Sequence, residues 1–133
     1  MNTTIEGSKF EQIACKYLES KSYEILERNY HARPFGEIDI VAKLDDVIVF
    51  VEVKGRSNHK FGSGENAVTA AKRKKVIKSC MQWLVENDKS NDWQIDVIAI
   101  DKLHEYGKKV IKLKHYKNCI TQLDFESSHY DDR

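Results

Sequence analysis

The chain has 133 residues, a formal net charge of +1 and a hydrophobic content of 41%, which suits one domain with a sizeable core. The longest apolar run, Val47 to Val51, is too short to cross a membrane, and the 6 Gly and 1 Pro exclude collagen-like and linker compositions. Residues 1–9 are polar, so we expect a cytoplasmic protein with no membrane partner. We assign a single domain to residues 1–123 and a polar acidic tail, expected to be disordered, to residues 124–133.

The first predicted element is a helix over residues 6–20, followed by an extended segment over residues 23–31. Pro34 and Gly36 mark the break before the next element. The helix is predicted from one apolar stripe at helical spacing, formed by Phe10, Ile13, Ala14, Tyr17 and Leu18.

A β-hairpin is predicted next, with strands Glu37–Lys43 and Val47–Lys54 joined by an acidic turn at Asp45 and Asp46. The second strand is apolar on both faces until Glu52, which is typical of a central strand covered on both sides.

A long helix is predicted over residues 65–86, with Ser63 as its N-cap, and strands follow at Trp93–Asp101 and Lys109–His115. The elements together predict an α/β fold with a mixed sheet of four or five strands flanked by helices. The buried stripe of the long helix is predicted at Ile77, Cys80, Met81 and Leu84, with Lys72, Lys75 and Ser79 on the opposite side.

The charge is distributed unevenly along the chain. Lys54 to Lys78 contains eight Lys or Arg, including Arg56, Lys72 and Lys75, and one acid, for a net charge of +7. A basic block in a neutral chain indicates a face that binds a polyanion such as nucleic acid; a solvated helix face is the alternative. Arg28 and Arg33 flank the segment before the hairpin, where they bind either a phosphate backbone or a surface carboxylate.

Asp39 and Glu52 are the candidate catalytic pair. A turn centred on Asp45 and Asp46 places them directly opposite each other, and a turn centred one residue earlier makes them diagonal neighbours. Both registers put the two carboxylates on one sheet face with Lys54, whereas a three-residue loop without a bulge separates them.

Two facing carboxylates on central strands repel each other unless a cation neutralises them. Hard oxygen ligands with room for water describe a Mg²⁺ or Mn²⁺ site, to which the carbonyl oxygen of Val53 is a further candidate ligand. Lys54 is then placed to orient or deprotonate a water, or to stabilise charge on a phosphoryl oxygen. The alternative is that Glu52 and Lys54 neutralise each other while Asp39 is solvated.

The same residues resemble the YraN family of uncharacterised bacterial proteins. The resemblance covers about residues 6–100 and is carried by Gly36-Glu-Ile-Asp-Ile-Val-Ala42 and Val49-Phe-Val-Glu-Val-Lys-Gly-Arg56, with Phe61-Gly62, Ala67-Val68 and Leu26-Glu-Arg-Asn-Tyr30. That family is similar to the restriction-endonuclease-like PD-(D/E)xK nucleases, especially archaeal Holliday-junction resolvases. Ile38 stands where the literal superfamily motif has proline, and Phe10 where the family usually has glycine.

The resemblance implies a metal-dependent nuclease site in a restriction-endonuclease-like domain. Asp39 and Glu52 match its metal ligands, Lys54 its catalytic lysine, Glu11 a glutamate from the first helix that completes the site, and Lys72 a phosphate-contacting position. A DNA endonuclease, acting on branched or junction DNA, is therefore the first functional hypothesis, and junction cleavage would call for a two-fold dimer. The alternatives are a non-catalytic nucleic-acid-binding module and a subunit of a DNA-processing complex.

Asp96 lies within an apolar stretch, Ile95 to Ile100, at a position where a carboxylate needs a partner. We expect it to be hydrogen-bonded to a basic residue of a neighbouring strand.

Overall fold

The computed structural model describes residues 3–57 and 70–121, with side chains described for residues 8–57 and 73–119. The predicted N-cap Ser63, the side chain of Lys72 and the acidic tail lie outside these residues. Neither helix in the described ranges is long and apolar enough to cross a membrane. The elements, in chain order, are α1 (Thr3–Ser20), β1 (Glu24–Ala32), β2 (Gly36–Leu44), β3 (Val47–Arg56), α2 (Ala70–Glu86), β4 (Trp93–Glu105) and β5 (Lys108–Thr121).

The five strands form one sheet in the order β1-β2-β3-β4-β5. All neighbouring pairs are antiparallel except β3 and β4, which run parallel. A parallel pair needs a long crossover connection, and α2 lies in the connection between these two strands. The fold is thus the predicted α/β arrangement, a mixed five-stranded sheet flanked by two helices, and β3 is its central strand.

Alternate residues of β3 face the two helices. Val49 and Val51 pack with Leu18 of α1, whereas Phe50 packs with Cys80 of α2. All of these side chains are buried, so the strand is covered on both sides, as its sequence predicts. We refer to the two sides of the sheet as the α1 face and the α2 face.

The buried side of α2 differs from the prediction at one position. Ile77 and Cys80 are buried as expected, but Ser79, predicted to lie opposite them, is only 1% exposed. Its hydroxyl donates a hydrogen bond to the Lys75 carbonyl oxygen at 2.9 Å, which satisfies the buried group within the helix. Trp83 is also buried, so the buried arc extends further towards Ser79 than the four predicted apolar positions indicate.

Candidate active site

The hairpin of β2 and β3 determines where the two candidate carboxylates lie. The last pair in its ladder is Ile40 with Val51, and Asp39 and Glu52 occupy the next position along each strand. This is the first of the two predicted registers, with the turn at residues 45–46. Val51 and Val53 both pack on the α1 face, so Glu52 between them belongs to the α2 face. Asp39 lies between Ile38, which packs in the α2-face cluster, and Ile40, which packs in the α1-face cluster, so the strict alternation of β2 is interrupted at Asp39.

Asp39 is anchored where the ladder ends. Its Oδ2 accepts a hydrogen bond from the backbone N–H of Val53 at 2.8 Å. A side chain therefore replaces a backbone carbonyl as the partner of this N–H, which satisfies a donor that the parting strands would leave free. The bond uses one carboxylate oxygen and fixes the direction of the other.

The ionised form of Asp39 is disfavoured in the folded protein. Burial raises its pKa to about 6, and the negative charges of Glu11, Glu52 and Glu37 add to the rise. The hydrogen bond from the Val53 N–H acts in the opposite direction and only partly offsets these effects. Asp39 is thus a half-buried carboxylate whose charge is opposed by three others, and a cation placed there would be stabilising.

Glu11 reaches this carboxylate group from α1. Its own pKa is raised, chiefly by burial, although Arg28 and the side chain of Asn29 oppose the rise. Its charge in turn raises the pKa of Asp39, so the two carboxylates are close enough for their charges to interact. The first helix thus brings a glutamate within electrostatic reach of Asp39, and the ligand role of Glu11 stays a prediction.

Phe10 packs beside Glu11 without displacing α1 from the sheet. The Phe10 side chain is 5% exposed, and its ring occupies the space where a Cβ on Gly55 would stand. The ammonium group of Lys102 lies 5.0 Å from the centroid of the same ring. Because Gly55 has no side chain, there is room for the ring of Phe10, at the position where the resemblance leads us to expect glycine.

Lys54 follows Glu52 by two residues on β3 and so shares its face of the sheet. Among the described residues, no ion pair joins Lys54 to Glu52. The structure therefore does not show the mutual neutralisation that was the alternative for this pair. The ligand role of the Val53 carbonyl oxygen stays a prediction.

Asp39 and Glu52 line a small pocket on the α2 face. Phe50 of β3 and the α2 residues Val76 and Cys80 form its apolar side. Apolar walls lower the local dielectric and strengthen the interaction of the carboxylates with any cation or with a developing charge.

The predicted basic residues lie on several elements of the fold. Arg28, on β1, is exposed and near enough to Glu11 to lower its pKa. Arg33 is exposed between β1 and β2, Arg56 is half-buried at the end of β3, and Lys75 is exposed on α2.

No group of three or more His, Cys, Asp or Glu side chains in the described part of the chain is arranged to hold a metal ion. Mg²⁺ commonly uses only one or two carboxylates and completes its octahedron with waters and substrate phosphates. Asp39 and Glu52 supply that minimal oxygen donor set, and the pKa of Asp39 is raised first by burial and then by the neighbouring carboxylates. The residues present therefore fit a Mg²⁺ or Mn²⁺ ion shared with substrate.

The family model described as "Uncharacterised protein family UPF0102" matches residues 10–100. The chain belongs to this family. A UPF0102 protein of Sulfurihydrogenibium sp. is 46% identical over 101 residues, covering 75% of this chain and 87% of that protein. A UPF0102 protein of Clostridioides difficile is 45% identical over 121 residues, covering 90% of this chain and all of that protein.

Among solved structures, the chain is similar to Pyrococcus furiosus SfsA, determined in complex with Ca²⁺. The TM-score is 0.42 and the sequence identity 16%, and the match covers 87% of this chain and 64% of the SfsA chain, less than two thirds of its length.

Glu37 of this UPF0102 chain also acts on the site carboxylates, although no sequence pattern singled it out. Its charge raises the pKa of both Asp39 and Glu11, while its Oε1 lies 3.2 Å from Nδ1 of His31 on the exposed edge. Glu37 precedes Asp39 by two residues on the same strand, and this short spacing was the available sequence indication that the two lie close together.

Asp96 has the basic partner that its sequence context predicts. The Asp96 side chain is fully buried, and its Oδ2 lies 2.7 Å from Nε2 of His115 on β5. Oδ1 accepts hydrogen bonds from the Asn118 N–H at 2.8 Å and the Gln94 side chain at 2.9 Å. Tyr17 of α1 contacts the other ring nitrogen of His115 at 3.0 Å, so this network joins β4, β5 and α1 on the α1 face.

Proposed function

We propose that this UPF0102 protein is a divalent-metal-dependent nuclease that hydrolyses phosphodiester bonds in DNA. The observation that carries the proposal is the position of Asp39 beside Glu52 at the end of the hairpin ladder, with the pKa of Asp39 raised to about 6. Two neighbouring carboxylates destabilise the folded protein unless a cation binds between them, and such a cation can also bind a phosphate.

In this proposal, Asp39 and Glu52 hold Mg²⁺ or Mn²⁺, and Glu11 and the Val53 carbonyl oxygen complete or orient the ligand set. The bound cation supplies Lewis-acid stabilisation of the phosphoryl oxygen and lowers the pKa of a water. Lys54 orients that water or accepts its proton and then stabilises the charge that develops on phosphorus-bound oxygen. The hydrogen bond from Val53 holds Oδ2 of Asp39 and would leave the second carboxylate oxygen available to a cation.

Basic side chains at the rim would hold the phosphate backbone on either side of the scissile bond. The candidates are Arg28, Arg33, Arg56, Lys72 and Lys75. The substrate class we propose is DNA in the cytoplasm, with branched or junction DNA as the preferred form. Symmetric cleavage of a junction would use a two-fold dimer of this chain.

The experiment compares cleavage of end-labelled four-way junction, flap, single-stranded and duplex DNA with Mg²⁺ or Mn²⁺. Wild type is compared with Glu52→Ala and with the matched control Glu24→Ala, an exposed carboxylate of β1. We expect metal-dependent cleavage in wild type and the control, and its loss in Glu52→Ala with an unchanged circular dichroism spectrum. DNA binding without cleavage in either metal would contradict the nuclease proposal and favour a non-catalytic binding module or a subunit of a DNA-processing complex.

A further inference from the structure

The edge strand β5 is a second basic surface, separate from the block at residues 54–78. It carries five lysines and no acidic residue. Edge strands often carry lysines, which prevent edge-to-edge pairing of sheets. This explains why β5 is basic, but it does not explain which face of the sheet each lysine occupies. The arrangement follows from the register of β5 with β4 and of β4 with β3.

Alternate residues of β5 face opposite sides of the sheet. His115 pairs with Ile98 and contacts α1 through Tyr17, so the odd-numbered residues face α1. Lys114 and Tyr116 therefore face the α2 side, which is also the face of Glu52 and Lys54.

The registers place the candidate site and β5 in common rows across the sheet. One row contains Lys54, Ala99 and Lys114, in that order across β3, β4 and β5. The preceding row contains Glu52, Val97 and Tyr116. Two strand spacings separate Glu52 from Tyr116 and Lys54 from Lys114, about 10 Å in each case.

The surface across these rows is open to a ligand. Tyr116 is 49% exposed and Lys114 is exposed, while Ala99 between the two lysines is small and only half-buried. The next row is different, because Asp101 lies between Arg56 and Lys112, and Lys112 also pairs with Glu105 at 3.2 Å. The row of Lys54, Ala99 and Lys114 contains no acid, so its positive charge is not offset within the row.

We propose that Lys114 and Tyr116 form a nucleic-acid-contacting surface continuous with the candidate active site. A DNA strand whose scissile phosphate lies at Glu52 and Lys54 crosses β4 over Ala99, and Lys114 binds a neighbouring phosphate. Tyr116 offers its exposed ring to an unpaired base. This inference rests on the proposed function and adds to it the direction in which the strand leaves the site, across β4 towards β5.

The test measures binding of fluorescein-labelled single-stranded and duplex DNA by anisotropy in EDTA, so that no cleavage intervenes. Lys114→Gln is compared with Lys109→Gln, which removes the same charge from an exposed lysine on the other face of the same strand. We expect Lys114→Gln to weaken binding about five- to ten-fold and to reduce the slope of log K against log salt by about 1. The matched Lys109→Gln control is expected to change affinity by less than about two-fold.

Tyr116→Leu provides an independent measurement because it leaves the charge unchanged. Its expected effect is a loss of affinity of about five-fold or more for single-stranded DNA and a smaller loss for duplex, whose bases are already stacked. Sedimentation of wild type and Tyr116→Leu without DNA is measured alongside. A dimer lost in Tyr116→Leu with DNA affinity retained would overturn the proposal in favour of a second copy of the chain on this surface.

The outcomes also separate this inference from the proposed function. Suppose that Lys114→Gln and Lys109→Gln bind DNA with equal affinity while cleavage still depends on Glu52. That result would overturn the proposed β5 surface and leave the nuclease proposal standing. A wild-type protein that neither binds nor cleaves DNA would overturn both.

Discussion

Oδ2 of Asp39 accepts a hydrogen bond from the N–H of Val53 at 2.8 Å, yet the pKa of Asp39 is raised to about 6. A hydrogen bond from a backbone donor stabilises the ionised carboxylate, so burial and the neighbouring carboxylates must outweigh it. The arrangement holds the side chain in one orientation while leaving its negative charge poorly compensated. A bound cation would stabilise the ionised form of such a carboxylate.

Asp39→Asn is expected to stabilise the metal-free protein above pH 6. Raising the folded-state pKa from 3.8 to about 6 means that stability falls as the pH rises through this interval. The introduced amide does not titrate, and its oxygen can still accept the Val53 N–H, so the variant avoids this loss of about 1–3 kcal/mol.

The measurement is urea unfolding of Asp39→Asn and wild type in EDTA at pH values from about 4 to 8. The two proteins are expected to be similarly stable at the acidic end and to diverge up to pH 6, with a constant difference above it. A variant less stable than wild type at pH 8 would show that the Asp39 carboxylate is well compensated without a cation.

Lys54→Gln is expected to separate catalysis from metal binding. Lys54 is assigned to the water and the developing charge, so its loss should reduce the cleavage rate about 100-fold or more with Mn²⁺ affinity unchanged. Single-turnover cleavage and Mn²⁺ titration are measured on the same preparations, with Lys16→Gln, an exposed lysine of α1, as the control. A full cleavage rate in Lys54→Gln would remove the lysine from the mechanism.

Gly55→Ala is expected to destabilise the fold by about 1–3 kcal/mol, because the new methyl group overlaps the buried ring of Phe10. The double variant Gly55→Ala with Phe10→Leu should recover part of the loss, since leucine is smaller than the ring that obstructs the methyl group. The free energy of unfolding is measured for both single variants and the double variant. Strictly additive effects would mean that the two side chains do not compete for this space.

The hairpin was the most predictable part of the candidate site. A two-residue turn at Asp45 and Asp46 sets the register, and this register then puts Asp39 and Glu52 at matching positions just beyond the last pair of the ladder. The predicted sharing of one face is less simple, because Ile38 and Ile40 on either side of Asp39 pack on opposite faces of the sheet. The covered position of β3 also follows from its unbroken apolar sequence. These inferences use local spacing alone, which a single sequence contains.

Features that depend on distant segments were not predictable. The position of Lys114 beside the site requires the registers of both β3 with β4 and β4 with β5, and no local pattern specifies them. Ser79 was wrongly predicted to lie opposite the buried side of α2, because four apolar residues were used to define the buried arc, whereas Trp83 widens it. The sequence indicates that Asp96 needs a partner, but it does not indicate that the partner is His115, because this depends on how β5 pairs with β4.

The most direct test of the central claim is a Mn²⁺ titration of the protein at pH 7.5, in which the electron paramagnetic resonance signal measures the free ion. Wild type, Asp39→Asn, Glu52→Gln and the control Glu24→Gln are compared without DNA. If Asp39 and Glu52 form the cation site, wild type and the control bind Mn²⁺ and the two site variants lose at least about ten-fold in affinity. Equal Mn²⁺ affinity in all four proteins would contradict a metal-dependent active site at this carboxylate pair.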